Sequence, residues 1–176
     1  MPTACGPRCS TTCDGPGVRR PQLRIRRTRR GRFELRLPPQ ERDVLRTLPG
    51  QLRDLLATDD PSLVRLRPPA YADDPEAEEE YRHLVGEDLT AARLRALEVM
   101  ERTVDARELD EEELSAWLGA LNDLRLVLGT RLEVSEDTDI FDIPPEDPIA
   151  AQYAVYAYLG WLEEQAVEAL APGLRT

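Results

Sequence analysis

Four groups of side chains in this 176-residue sequence have the types and spacing to do chemistry. Cys5, Cys9 and Cys13 repeat as C-x3-C-x3-C, and thiolates serve as nucleophiles, redox centres and metal ligands. A closed zinc site takes four ligands, commonly as two separated cysteine pairs, and no fourth ligand accompanies this series. Nearby Arg8, Arg19 and Arg20 favour the thiolate, the form that oxidises. Redox-active thiols at Cys5, Cys9 and Cys13 therefore rank above a metal site. The plainer reading, three incidental tail residues, ranks above both. His83, the only histidine, sits among carboxylates in EEEYRHLV without a nucleophile or an orienting partner, and reads as an ordinary surface residue.

Nine arginines fall between Arg19 and Arg36. A basic face carrying Arg24, Arg26, Arg27, Arg29, Arg30 and Arg32 has the character of a phosphate-tracking or acidic-partner surface. Base reading needs side chains such as Asn or Gln delivered into a groove by a helix, and this segment offers only Gln22. The alternative is a charged strand face that pairs with the acidic remainder of the chain or stays solvated. Arg125 falls four residues after Leu121, with Leu121 and Gly129 as its own-helix neighbours. A buried unpaired guanidinium is costly, so a carboxylate or carbonyl from another segment is expected to meet it as a structural clamp. No phosphate loop, nucleophile elbow, H-E-x-x-H or dinucleotide fingerprint occurs. The expectation is a protein that is not an enzyme, with no catalytic residues, no metal and no cofactor.

The elements that must position these groups centre on Leu114–Val134. Leu114, Trp117, Leu118, Leu121, Leu124 and Leu128 form one helical stripe. Asp110 is the expected N-cap, Trp117 a structural core residue, and Gly129 the residue at which the helix stops. Upstream, Leu23 and Ile25, then Phe33, Leu35 and Leu37, alternate with charged residues around TRRG, which predicts a β-hairpin. Pro38-Pro39 opens a helix that Pro49-Gly50 is expected to kink or split. A proline-rich surface loop spans 59–74, held by Leu63, Leu66 and Tyr71. Asp74-Pro75 starts a helix, and a further one follows Gly86. RLEV (131–134) suggests a short extended piece. Asp147-Pro148 launches the last helix, whose first half, IAAQYAVYAYLGWL, is apolar nearly all round. Such a helix is wrapped by neighbours or shared with a second copy, so a homodimer is a candidate assembly. The predicted organisation is a disordered cysteine-containing tail (1–17), an arginine-rich hairpin (18–37) and a helical domain (38–176). The fold class is mainly α, a compact domain of five or six helices with a small N-terminal β-hairpin.

Composition sets outer limits. Aromatic residues make up 5%, so the core must be built from Leu, Val, Ile and Ala. The net charge of -11 argues against a generic nucleic-acid coat, because phosphates repel such a surface. That charge is unevenly spread. Residues 8–36 hold ten arginines against Asp14 and Glu34, a basic end on an acidic body. With no apolar leader and no run long enough to span a bilayer, the chain reads as cytoplasmic and without a membrane partner.

Several segments together carry a family likeness. LPPQERDVL, RLRPPAY with DDPEAEEEYR, LNDLRLVLGTRLEV followed by SED, and YAYLGWLEEQAVEAL resemble, in that order, the actinobacterial DUF2017 family. The likeness covers roughly residues 33–170, with LNDLRLVLGTRL the most specific piece and the three cysteines outside it. Members are commonly encoded beside the proteolytic adaptor ClpS. They are also described as AosR-type oxidative-stress transcriptional regulators that contact an extracytoplasmic-function sigma factor. The resemblance therefore implies a regulator that works through a sigma factor or other transcription protein; the arginine run itself would confine any direct, weak DNA contact to Arg19–Arg36. An adaptor or accessory role in ClpS/Clp-dependent proteolysis is the alternative it implies.

Overall fold

Alternating apolar and charged residues build the first two elements. A computed structural model describes residues 23–138, 143–144 and 146–171, so the expected tail and residues 18–22 lie outside it. β1 (Ile25–Arg27) and β2 (Phe33–Leu35) pair antiparallel, with Ile25 opposite Leu35 and Arg27 opposite Phe33. In the turn Gly31 has φ of 77°, a left-handed conformation that favours glycine, and its N–H donates to the Thr28 carbonyl at 3.1 Å. A third strand, β3 (Glu108–Leu109), flanks β2 on its other side with Leu109 opposite Phe33. At two residues it is too short for periodicity to reveal. Ile25, Phe33, Leu35 and Leu109 are all buried, which ties the sheet to the helices as an isolated hairpin would require.

α1 (Pro39–Leu56) is a single helix running through Pro49, so of the kink or split that the sequence suggested the split does not occur. A mid-helix proline costs about 3 kcal/mol. Against this, Leu45, Pro49, Leu52 and Leu56 form one buried stripe, and each leucine contributes about 1.5–3 kcal/mol. Burial wins. The proline-rich segment that follows contains a 3₁₀ turn (Pro61–Leu66), capped by Asp60, which buries Leu63 and Leu66; Tyr71 stays half exposed. α2 (Pro75–Thr103) starts as expected, with the Asp74 side chain accepting from the Ala77 N–H at 3.1 Å. It continues through Gly86 as one 29-residue helix, because a glycine costs only about 1 kcal/mol amid good helix formers. Its C-terminal end is met by Arg42, which donates to the carbonyls of Leu37, Val104 and Ala106.

α3 (Glu111–Arg131) opens on a capping box: Asp110 accepts from the Glu113 N–H at 2.8 Å, and Glu113 accepts from the Asp110 N–H at 2.9 Å. Gly129 does not end it. The helix runs on to Arg131 and closes at Glu133, whose φ is 54°, with Glu133 N–H on the Thr130 carbonyl and Val134 N–H on the Gly129 carbonyl. This is a Schellman closure, in place of the extended RLEV piece. Gly129 instead admits Tyr156 of α4 (Ala150–Leu170): a Cβ there would lie 2.9 Å from the tyrosine ring. α4 begins later than Asp147-Pro148 indicated, with the Asp147 carboxylate accepting from the Ile149 N–H at 3.0 Å.

Among the described residues the fold is mainly α, four α-helices and a 3₁₀ turn with one small antiparallel sheet. α3 lies at its centre, packed against α4, α2, the 3₁₀ turn and α1. Leu118 and Leu128 of the expected stripe are only partly buried, while Ala120, Asp123 and Val127 are buried in addition. The contact arc is wider than one stripe. Phe33 is fully enclosed where the sheet meets the helices. Phe33→Ala should lower the unfolding free energy by about 3–5 kcal/mol in urea titration. A loss below about 1 kcal/mol would show that the sheet is not part of the core.

Candidate functional site at the arginine hairpin

The six arginines expected on one face divide into three groups. Arg24 turns inward. Its Nε and Nη2 bind both oxygens of Glu41 at 2.8 and 2.7 Å, and its guanidinium lies 5.7 Å from the Trp161 ring centre. Arg26 reaches Glu34 at 3.9 Å, Arg32 reaches Asp110 at 3.8 Å, and Arg27 stacks over Phe33 at 5.6 Å. Arg29 and Arg30, at the tip of the turn, are exposed and make no ion pair with a described residue. The usable basic surface is therefore a tip formed by Arg29 and Arg30, flanked by Arg27 and by the weakly held Arg26 and Arg32.

Arg24 is the centre of a latch that sequence reasoning missed. Tyr158 of α4 donates to Glu41 of α1 at 2.7 Å, so one carboxylate joins the residue before β1, α1 and α4. The buried Gln165 side chain accepts from the Arg24 and Ile25 N–H groups at 2.6 and 3.3 Å, which stitches β1 to α4. Burial pushes the Glu41 carboxyl up, but the hydrogen bonds from Arg24 and Tyr158 and the Arg24 charge bring it below the usual range. Burial, then the Glu41 hydrogen bond, raises the Tyr158 phenol, so it remains a neutral donor. The partners lie 17 and 117 residues apart, and no local spacing announces them.

Arg125 meets a carboxylate from another segment: its Nε lies 2.7 Å from Glu163 of α4, an ion pair without an aligned Nε–H hydrogen bond. Trp117 is fully buried and donates its indole N–H to Thr103 at 2.8 Å. Arg93 crosses from α2 to Asp123 at 3.4 Å; burial raises that carboxyl and the arginine opposes it. Cys5, Cys9 and Cys13 lie outside the described residues, and His83 is exposed. Among the described residues no three His, Cys, Asp or Glu side chains are grouped to hold a metal ion. No helix among them is long and apolar enough to cross a membrane.

A family profile described as a domain of unknown function, DUF2017, matches residues 22–170. The chain belongs to this family. Within it, the chain is 30% identical to the oxidative stress regulators AosR of Mycobacterium bovis and Mycobacterium tuberculosis, over 95% of this chain and 97% of each relative. It is also 30% identical to a putative oxidative stress regulator AosR of Mycobacterium leprae, over 97% of this chain and 99% of the relative. The match thus runs along nearly the whole of this chain and of each relative. No solved structure matches. The 97% span takes in Cys9 and Cys13 wherever its ends fall, so the likeness reaches further into the N-terminal segment than residues 33–170.

The latch predicts a pH signature. A carboxylate with a depressed folded pKa stabilises above its unfolded value of about 4.3 and loses that contribution as pH falls through the folded value. Glu41→Gln should therefore be less stable than the parent at pH 7, with the difference shrinking below about pH 4. Thermal melts from pH 7 to 3 measure it, and a difference independent of pH would exclude the ionised latch. Arg125→Met strands Glu163 and should cost about 1–3 kcal/mol. An unchanged melting temperature would show that the pair does not clamp α3 to α4.

Proposed function

We propose that this chain is a non-enzymatic regulator of the oxidative-stress response that acts by protein–protein contact with a sigma factor or another protein of the transcription machinery. The observation that carries this reading is the extent of the likeness: relatives named oxidative stress regulators align over 95–97% of this chain, not over one motif of it. The geometry favours a protein partner over a long DNA contact. Of six candidate arginines, Arg24 is committed to Glu41, and Arg29 and Arg30 alone are without a described carboxylate or ring. DNA contact through the hairpin is then weak and limited to its tip. The thiols this reading has available for peroxide sensing are Cys5, Cys9 and Cys13: one would be oxidised to sulfenic acid and condense with a second to a disulfide, the peroxide being reduced to water.

Affinity capture with the tagged chain, followed by binding to the purified candidates, tests the reading. Sigma factor or polymerase subunits are expected; recovery of ClpS or Clp subunits instead would overturn it in favour of a role in proteolysis. Free-thiol counts before and after peroxide should fall by two in the full chain and stay unchanged in a chain lacking residues 1–17. In a DNA-binding titration, Arg29→Ala with Arg30→Ala should reduce the slope of log affinity against log salt by about 2. A slope near zero in the parent would remove DNA from the account.

A further inference from the structure

In a chain of which 32% is charged, α1 and α4 together leave one face without free charge. On α1, Gln40, Val44, Thr47, Leu48 and Gln51 recur at i, i+4, i+7, i+8 and i+11, on one side of the helix and beside its buried leucines. Val44 is 37% exposed, and Gln40, Thr47 and Gln51 are exposed with it. On α4, residues 149–162 carry no charged side chain. Ala151, Ala154, Val155 and Tyr158 share a side of that helix with Gln165. β1 covers Gln165, whereas Ala151 and Ala154 are exposed and Val155 and Tyr158 half-buried. Between the two helices lies a groove of about 250 Å³ lined by Gln40, Glu41, Val44, Ala154, Val155 and Tyr158. Its one carboxylate is neutralised, because Arg24 binds both oxygens of Glu41 and Tyr158 donates to it.

The chemistry of the face selects what can meet it. It offers no counter-charge to nucleic acid, to an anionic membrane or to a basic peptide. Two copies of a chain with net charge -11 repel one another across their acidic surfaces, and an uncharged face is where they can approach. Near a two-fold axis each group faces its own copy or that of a close neighbour, so the face must be complementary to itself. A free carboxylate or guanidinium fails that condition. A primary amide satisfies it, because it both donates and accepts. The exposed polar groups on the α1 side are Gln40, Thr47 and Gln51, and neither glutamine side chain bonds to another described residue. Shape satisfies it as well: Val44 projects beside the groove, so the ridge of each copy can enter the groove of the other. Residues 1–22 match the face poorly, with Met1 and Val18 as their only large aliphatic side chains.

We propose that the α1–α4 face is the contact between two copies of this chain in a reversible two-fold dimer. At 1.5 Å per residue the α1 stripe is about 17 Å long, a modest contact and not an obligate one, so monomer and dimer exchange. The pairing does not depend on which transcription protein the chain contacts.

Sedimentation equilibrium of the full chain tests it, in reducing buffer so that no disulfide-linked species contributes. Over about 1–300 µM the weight-average mass should rise from 19.9 kDa toward twice that value. Val44→Glu and Ala154→Glu each set a carboxylate on the face, against its own copy, and each should weaken the dimer by about tenfold or more. The two sites lie on different helices, so a folding defect in one variant leaves the other to decide. Val167→Glu, exposed on the opposite side of α4, should stay within about twofold of the parent. A mass of 19.9 kDa at every concentration would overturn the second copy as occupant and leave the face to another protein. Dimers as tight in both face variants as in the parent would overturn the face.

Discussion

One helix has to be enclosed by the rest of the chain, and the other elements are arranged to do it. α3 buries Leu114, Trp117, Ala120, Leu121, Leu124 and Val127, and it meets α1, α2, α4 and the 3₁₀ turn. With so few aromatic residues, the core depends on many leucines of similar size, and two large rings fix its position. Trp117 is held by its hydrogen bond to Thr103, and Phe33 brings the sheet against the helices. A tryptophan N–H left unpaired there would carry the full cost of desolvation, so Thr103 is as much a part of the packing as any leucine. The charged groups that cross this core do so in pairs, Arg93 with Asp123 and Arg125 with Glu163.

The same enclosure divides the chain's charge. The basic N-terminal end is partly consumed in holding the sheet down: Arg24 joins Glu41, and Arg32 and Arg26 lean on nearby acids. What is left outside is a small cationic tip at Arg29 and Arg30 and, on the first half of α2, the exposed carboxylates Glu76, Glu79, Glu80, Glu87 and Asp88 together with the exposed Leu84 and Leu89. Exposed charges of opposite sign therefore stand on different parts of the chain.

Local signals were legible. Asp74 and Asp110 announced helix starts because a cap is written within four residues, and the hairpin was visible because Phe33, Leu35 and Leu37 alternate with charges. Breaks were over-read. Pro49, Gly86 and Gly129 each carry a local preference worth at most about 3 kcal/mol, which burial or a long helix overrides. Gly129 was structural for a reason the sequence hides, the approach of Tyr156 from another helix. The latch was illegible on the same ground: Arg24, Glu41, Tyr158 and Gln165 meet only after the chain has folded back on itself. Arg125 lay between these cases. Its position called for a carboxylate or carbonyl from elsewhere in the chain, and Glu163 lies against it.

Amide hydrogen exchange on the full chain tests most directly whether a rigid centre carries an uncovered acidic arm. The account predicts that amides of α3 between residues 114 and 128 exchange slowest, at the rate of global unfolding, and that those of α2 between 78 and 89 exchange far sooner than those between 97 and 103. Uniform protection along α2, or an α3 that exchanges as fast as the start of α2, would contradict it.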